Sequence, residues 1–329
     1  MTTHILTHFH KRRTGVTTHV EDLTKALNGL GRETFALGES LSPDTPQLSR
    51  SALLDRLHNG ASVTWHAHRP HSLRDGLKLR KQWPKLRVVW THHSWKAPGW
   101  LTRNLLAQAD ARVCLTREGA KQLALPSEVI GHGVPLDELR PQSQPPQARL
   151  GVIGRIRPDK GHRSVVQAFR ELQKTAPDWE LCFFGETRPQ HRRFERDLRT
   201  QLPEGLRVVG FESDRSAMYA SLSAVIMPSP AEGFSLVVPE TLAAGLPLVT
   251  TRLAHFERCL RDGEHALFYD SGQPDSLLRV LRRLFEDGAL RSRLRQGARK
   301  AAEEHFSIVE EARRIAGVYD RVILDSASL

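Results

Sequence analysis

The chain has 329 residues, 39% of them hydrophobic, and a formal net charge of +11. That length suits one or two folded domains. With no apolar run near the ~18 residues of a membrane span and no apolar leader stretch, a spanning or signal-led secreted protein is not expected. Three cysteines, Cys114, Cys182 and Cys259, show no CxxC spacing and no even framework, which suits buried thiols in a reducing cytosol. The charge is uneven. Residues 1–145 hold 20 Lys/Arg against 12 Asp/Glu, or +8, which leaves 28 against 25, or +3, for residues 146–329. A basic first half suits an anionic partner, whether a membrane surface, an acidic glycan or nucleic acid.

In chain order, apolar runs of strand length are predicted at 4–7, 33–37, 62–66, 87–90, 111–115 and 128–130, with helices at 18–30, 73–83 and 102–109. A segment of three prolines and no apolar residue, 141–147, reads as a linker. Strands follow at 149–153, 180–184, 206–209, 224–227, 246–250 and 266–268. Helices are predicted at 164–175, 191–201, 215–220, 238–244, 274–285 and 289–305. Strand–helix alternation in both halves predicts two parallel-sheet α/β units, 1–140 and 148–306, with a last helix in 307–329. Parallel sheets bind ligands beyond the carboxyl ends of their strands, so chemistry-bearing motifs belong there.

Residues 230–247 read Pro-Ala-Glu-Gly-Phe-Ser-Leu-Val-Val-Pro-Glu-Thr-Leu-Ala-Ala-Gly-Leu-Pro. Glu232 precedes a turn at Gly233, and Phe234, Ser235 and Leu236 lead into a helix carrying Glu240. The free N–H groups of a helix start suit a phosphate. Glu240 could accept hydrogen bonds from a sugar's hydroxyls, and Glu232 could face a second sugar. Upstream, Gly154-Arg155-Ile156-Arg157-Pro158-Asp159-Lys160-Gly161 follows the strand at 149–153. Arg155 and Lys160 are preorganised cations of the kind that stabilise a departing diphosphate. Gly185 and the segment Val209-Gly210-Phe211 end the next two strands, where backbone can approach a ligand.

These motifs resemble the Glu-x7-Glu and Gly-Arg-x4-Lys-Gly signatures of the retaining GT-B glycosyltransferases of family 4 (group 1) type, which include glycogen and sucrose synthases and bacterial mannosyltransferases. The resemblance implies two facing Rossmann-like domains. The first (1–140) would bind the acceptor and the second (148–306) the nucleotide sugar, with 307–329 crossing back onto the first. It implies that Arg155 and Lys160 grip the diphosphate, Glu232 orients the donor sugar and Glu240 holds the ribose. It also implies that the backbone at Phe211 holds the base and that Gly15 approaches the donor phosphate. A histidine supports the reacting carbon, His92 first and His93 as its rival, since neighbours on an extended segment point opposite ways. The loop Lys11-Arg12-Arg13-Thr14-Gly15-Val16-Thr17 and the run Trp65-His66-Ala67-His68-Arg69 are similar to lipopolysaccharide-core mannosyltransferases. This makes GDP-mannose the favoured donor and a glycan or glycolipid the acceptor, met by Lys11, Arg12, Arg13, His66, His68 and Trp95. Lys11, Arg12 and Arg13 could equally form a solvated loop.

The chain departs from the family's usual spelling in three places. Thr14 stands for a glycine, Gly185-Glu-Thr-Arg-Pro stands for Gly-x-Gly-Pro, and His132 stands for an asparagine in a turn read as structural. No cofactor is expected. No metal is expected either, because His66, His68, His92 and His93 lack carboxylate pairing and i,i+4 spacing. The basic helix at 73–83, with Arg74, Lys78 and Lys81, either packs with a charged outer face or touches an anionic leaflet. The localisation expected is cytoplasmic, compatible with a peripheral position at the inner face of the plasma membrane. A nucleotide-sugar epimerase of the same fold is the alternative enzyme. A nucleic-acid-binding protein is the remote alternative, and basic residues interleaved with aromatics are missing for it.

Overall fold

The computed structural model describes residues 2–142, 148–201 and 204–324. The expected linker at 141–147 therefore lies mostly outside the described residues. The chain forms two compact units: residues 1–135 with 306–329, and residues 136–305.

The first unit runs β1 (Thr3–His8), α1 (Gly15–Gly29), β2 (Thr34–Gly38), α2 (Arg50–His58), β3 (Val63–Ala67), α3 (Pro70–Gln82), β4 (Arg87–His92), α4 (Trp100–Ala107), β5 (Ala111–Cys114), α5 (Arg117–Leu123) and β6 (Glu128–Val129). The strands form one parallel sheet in the order β2-β1-β3-β4-β5-β6. Every residue of β1 and β3 is buried because helices cover both faces, although both strands carry threonine and histidine among their apolar residues. Trp65 is fully buried in one layer, with Leu53, Leu73 and Leu106. In the other layer Val20, Leu23 and Leu27 of α1 pack with Ile315, Val318 and Tyr319 from the end of the chain.

The second unit runs β7 (Arg149–Ile153), a 3-10 turn (Pro158–Lys160), α6 (His162–Gln173), β8 (Glu180–Phe184), a second 3-10 turn (Pro189–His191), α7 (Arg192–Gln201), β9 (Leu206–Gly210), α8 (Arg215–Ala220), β10 (Ala224–Met227), α9 (Val237–Ala243), β11 (Leu248–Thr251), α10 (Ala254–Glu257), β12 (Leu267–Tyr269), α11 (Pro274–Glu286) and α12 (Gly288–His305). Its sheet is again six-stranded and parallel, in the order β12-β11-β10-β7-β8-β9. The stripe Val165, Val166, Phe169 and Leu172 buries one face of α6. Removing each such side chain from water is worth about 1.5–3 kcal/mol.

The last helix, α13 (Ile308–Leu324), belongs to the first unit. The chain segments entering and leaving that unit lie side by side. Val134 pairs with Ser307, the Val134 N–H donates to the Phe306 carbonyl (2.8 Å), and the Ile308 N–H donates to the Val134 carbonyl (3.2 Å).

Three sequence readings change. Residues 136–140 belong to the second unit, because the Arg299 guanidinium on α12 holds the carbonyls of Leu136 (3.0 Å), Leu139 (2.8 Å) and Ala243 (2.8 Å). Helix α1 starts at Gly15, three residues before the predicted 18, because Thr14 and Thr17 form a capping box. Helices α2, α5 and α10 were missed by the apolar periodicity; all three are short, and they bury two, two and one residues.

Candidate functional site

In each sheet the strand order reverses once, and beside that reversal is where open parallel sheets bind ligands. In the second unit the reversal lies between β7 and β10. The loop after β7 supplies Lys160 and the loop after β10 supplies Glu232, and the Lys160 ammonium donates to the Glu232 carboxylate. Both side chains are largely buried. Gly161 makes this approach possible. Its φ is +74°, and a Cβ there would stand 2.3 Å from the Pro228 carbonyl oxygen. Two groups read separately from the sequence, the diphosphate lysine and the sugar-orienting glutamate, are thus brought together.

Around this pair the strand ends are laced to one another. The Gly154 N–H donates to the Phe184 carbonyl (2.8 Å), the Gly185 N–H to the Gly210 carbonyl (2.7 Å), and the Ile156 N–H to the Glu186 carbonyl (3.1 Å). Gly185 has φ +144°, and a Cβ would lie 2.2 Å from the Gly154 carbonyl oxygen. The three glycines therefore form one narrow ledge across β7, β8 and β9. Arg155 is exposed beside the ledge, and Phe211, just past it, is 55% exposed.

The segment Gly233–Leu236 differs from a plain helix start. Ser235 sits at φ +76°, a left-handed conformation that costs a non-glycine residue roughly 1–3 kcal/mol and that gathers at ligand sites. The surroundings enforce it: His255 Nε2 meets the Phe234 carbonyl at 3.1 Å, and the two rings stack at 5.7 Å. Helix α9 then begins at Val237, two residues after Ser235. Glu240 is 6% exposed on this helix. Its Oε2 accepts from the Tyr219 hydroxyl (2.9 Å) and its Oε1 from Arg215 Nη1 (3.2 Å). Burial and the neighbouring carboxylate push the Tyr219 phenol far above its usual range, so it stays a donor. Tyr219 and Arg215 escaped the sequence reading because only the packing of α8 against α9 brings them to Glu240.

In the first unit the structure separates residues that the sequence grouped. Arg13 is not available to an acceptor. Its guanidinium forks onto Glu21 (2.8 and 2.6 Å) and reaches the Ser40 carbonyl (3.0 Å). His66 is not available either. It is fully buried, with Nδ1 on the Tyr319 hydroxyl and Nε2 on Thr91 Oγ1, both at 2.7 Å. His68 is 2% exposed, and its Nδ1 meets His93 Nε2 at 3.0 Å. His92 is 6% exposed, and its Nε2 has no hydrogen-bond partner. Lys11, Arg12 and Trp95 are exposed, with Lys96 over the Trp95 ring. Gly15 is exposed at the first turn of α1.

These histidines continue inward to a carboxylate. His19 Nε2 and His132 Nδ1 each lie 3.2 Å from Glu311 Oε1, while Glu311 Oε2 accepts from the Gly133 N–H (2.7 Å). Desolvation holds His66 down to about 3 and His132 to about 4. Glu311 is held down to about 2, against its burial, by the two imidazoles. Three ligand atoms within 4.8 Å of one another invite comparison with a metal site. The ring geometry does not suit one. Imidazoles radiating from one tetrahedral ion place their centroids about 5 Å apart. Here the His19 and His132 rings overlap at 3.6 Å. The cluster ties α1 and α13 to the turn at Gly133, where a Cβ would collide with Ser307 at 2.4 Å.

Residues 137–301, nearly the whole second unit, match the family model described as glycosyl transferases group 1. The chain belongs to the group 1 glycosyltransferases. Across its length it is similar to the lipopolysaccharide core biosynthesis mannosyltransferase LpsB of Rhizobium meliloti, at 25% identity over 97% of each chain. It is equally similar to LpcC of Rhizobium leguminosarum bv. viciae, a protein of the same description, at 25% identity over 98% of this chain and 97% of that one. Among solved structures, Anabaena HepE in complex with UDP and glucose aligns with a TM-score of 0.81 at 14% identity, covering 96% of this chain and 99% of that one. Sucrose-phosphate synthase of Thermosynechococcus elongatus aligns at 0.80 with 18% identity, covering 99% and 100%. The fold of this glycosyltransferase is GT-B. No helix among the described residues is long and apolar enough to cross a membrane.

Proposed function

We propose that this glycosyltransferase moves a hexose, with mannose favoured, from a nucleoside-diphosphate donor to a glycan or glycolipid acceptor of the cell envelope, with retention at the anomeric carbon. The observation that carries the donor half is the Lys160–Glu232 pair at the strand-order reversal of the second unit, flanked by Arg155 and the glycine ledge. In the reaction the bond from the anomeric carbon to the diphosphate oxygen breaks and its electron pair leaves with the diphosphate. The acceptor hydroxyl forms the new bond on the same face, and its proton passes to the departing phosphate oxygen. Arg155 and Lys160 meet the developing charge. Glu232, by holding Lys160, fixes that cation, and a donor hydroxyl can share the same carboxylate. Glu240 is already oriented by Tyr219 and Arg215, so it presents a pre-set acceptor to the ribose.

The preference for GDP-mannose rests on the two mannosyltransferase relatives that match over nearly their full length. The cations of the diphosphate loop take the part that a divalent ion plays elsewhere, so no metal is required for transfer in this reading. Exposed Arg74, Lys78 and Lys81 on α3 would favour a peripheral position on an anionic leaflet. Thermal-shift titration with GDP, UDP and ADP, followed by transfer assays with GDP-mannose, tests the donor. GDP should stabilise most. A larger shift with UDP removes the mannose preference, and donor hydrolysis or epimerisation without transfer to any glycan removes the transferase reading.

A further inference from the structure

The first unit has its own strand-order reversal, between β1 and β3, and the groups gathered there are nearly all basic. His8 ends β1, and His10, Lys11 and Arg12 follow it. Arg69 and His71 follow β3. The two loops touch, with the Phe9 ring 6.2 Å from His71 and 6.5 Å from Trp65, and the His8 and His10 rings lie 5.9 Å apart.

Two of these groups lack the partners that burial demands. Arg69 is half-buried, and its Nε is sealed from solvent with no hydrogen-bond partner. Among the described residues no carboxylate is paired with its guanidinium. His8 is fully buried, and its Nδ1 is likewise unpartnered, while Nε2 has only Thr17 Oγ1 at 3.4 Å. Two carboxylates of the neighbouring segments are otherwise engaged or exposed. Glu21 is held by Arg13 and by the Ser42 N–H (2.6 Å), and Glu39 is exposed, its amide bonded to the His8 carbonyl. The backbone of Arg12 occupies His10 Nδ1, which leaves Nε2 as the ring nitrogen for a ligand. A desolvated cation and buried polar atoms without partners are costly, and a bound anion is what removes that cost. Burial, with Arg69 beside it, also holds His8 down at about 4.

We propose that Arg69, with His8, His10 and His71 around it, is a receptor for an oxyanion, and that the glycosyl acceptor carries that oxyanion as a phosphate or a carboxylate. This rests on the transferase reading and adds the chemical class of the acceptor. It also moves the acceptor contact from Arg13, His66 and His68 to Arg69, His10 and His71.

The test follows the histidine imidazole resonances of the whole protein by NMR, with a nucleoside diphosphate at saturation so that phosphate sites of the donor are filled. Inorganic phosphate and acetate are titrated separately against chloride at matched ionic strength. The His8 and His10 signals should shift saturably with phosphate, acetate or both, and the more effective anion identifies the acceptor's group. Arg69→Gln should raise the half-saturating concentration at least tenfold, while Lys121→Gln on the exposed side of α5 should leave it unchanged. If Arg69→Gln fails to fold by circular dichroism, His10→Ala supplies the same test with a smaller, several-fold loss. Shifts that chloride reproduces, or a response indifferent to Arg69→Gln, overturn the inference. Calorimetric nucleotide binding separates the two readings. Binding retained without an anion response sinks the acceptor proposal alone, whereas loss of both sinks the donor assignment as well.

Discussion

Acidification should unfold the first unit well before the second. His4, His8 and His132 are held at about 4 and His66 at about 3, each from an ordinary 6.5, with burial the largest cause in all four. The native state therefore keeps these rings neutral while the unfolded chain takes up protons as the pH falls below 6.5. Their contribution is complete above 6.5 and is lost between 6.5 and about 4, with His66 continuing to about 3. Each ring accounts for up to about 1.4 kcal/mol per pH unit, so at pH 5.5 the four together cost roughly 6 kcal/mol. That is comparable to the whole stability of a typical domain, ~5–15 kcal/mol. Glu311, depressed to about 2, adds a further loss as the pH drops from 4.5 toward 2. Among the described histidines of the second unit only His162 is pushed as far, to about 4. Tryptophan fluorescence separates the units, because Trp65, Trp83, Trp90, Trp95 and Trp100 lie in the first and Trp179 in the second. Urea melts at pH 7.5 and pH 5.5 should show the fluorescence transition moving far more than the far-UV dichroism of the remaining structure. A fluorescence shift smaller than a single histidine would give, about 1.4 kcal/mol per pH unit, would refute the reasoning.

Four further outcomes are expected. Replacing Arg155 and Lys160 together by Ala should weaken nucleoside-diphosphate affinity by several-fold to a hundredfold, since each charged hydrogen bond is worth ~1.5–3 kcal/mol; calorimetry on the folded double variant checks this. Glu232→Gln should lower turnover more than nucleotide affinity. Glu240→Gln should lower affinity and also cost ~1–3 kcal/mol of stability, because it disturbs a buried group bonded to Tyr219 and Arg215; equal small effects of both changes on turnover and affinity would remove both from the donor site. Gly185→Ala should destabilise the second unit by roughly 2 kcal/mol or more in urea melts, since the new Cβ meets the Gly154 carbonyl and the left-handed backbone is strained as well. Transfer should persist in EDTA, and a complete loss restored by a divalent ion would reverse the assignment of Arg155 and Lys160 as the diphosphate's counter-charges.

The sequence alone determined the two α/β halves, because parallel strands buried on both faces must be written as apolar runs and their crossover helices as amphipathic stripes. It also determined the ledge residues, since Gly154, Gly185 and Gly210 stand at strand ends, where position along the chain is position in the sheet. Tertiary structure decided whatever depends on which strand ends are neighbours. Lys160 and Glu232 lie 72 residues apart, and only the reversal between β7 and β10 joins them. Tyr219 and Arg215 reach Glu240 only once α8 and α9 have packed. The strain at Ser235 was hidden because a serine before a helix reads as an ordinary start, while the constraint comes from His255, twenty residues on (255 − 235). The basic residues of the first unit were the hardest to sort. Arg13 and Arg69 look alike in the sequence; folding gives one a glutamate and leaves the other half-buried without one. A charge on a chain has no partner until the sheet order assigns its neighbours.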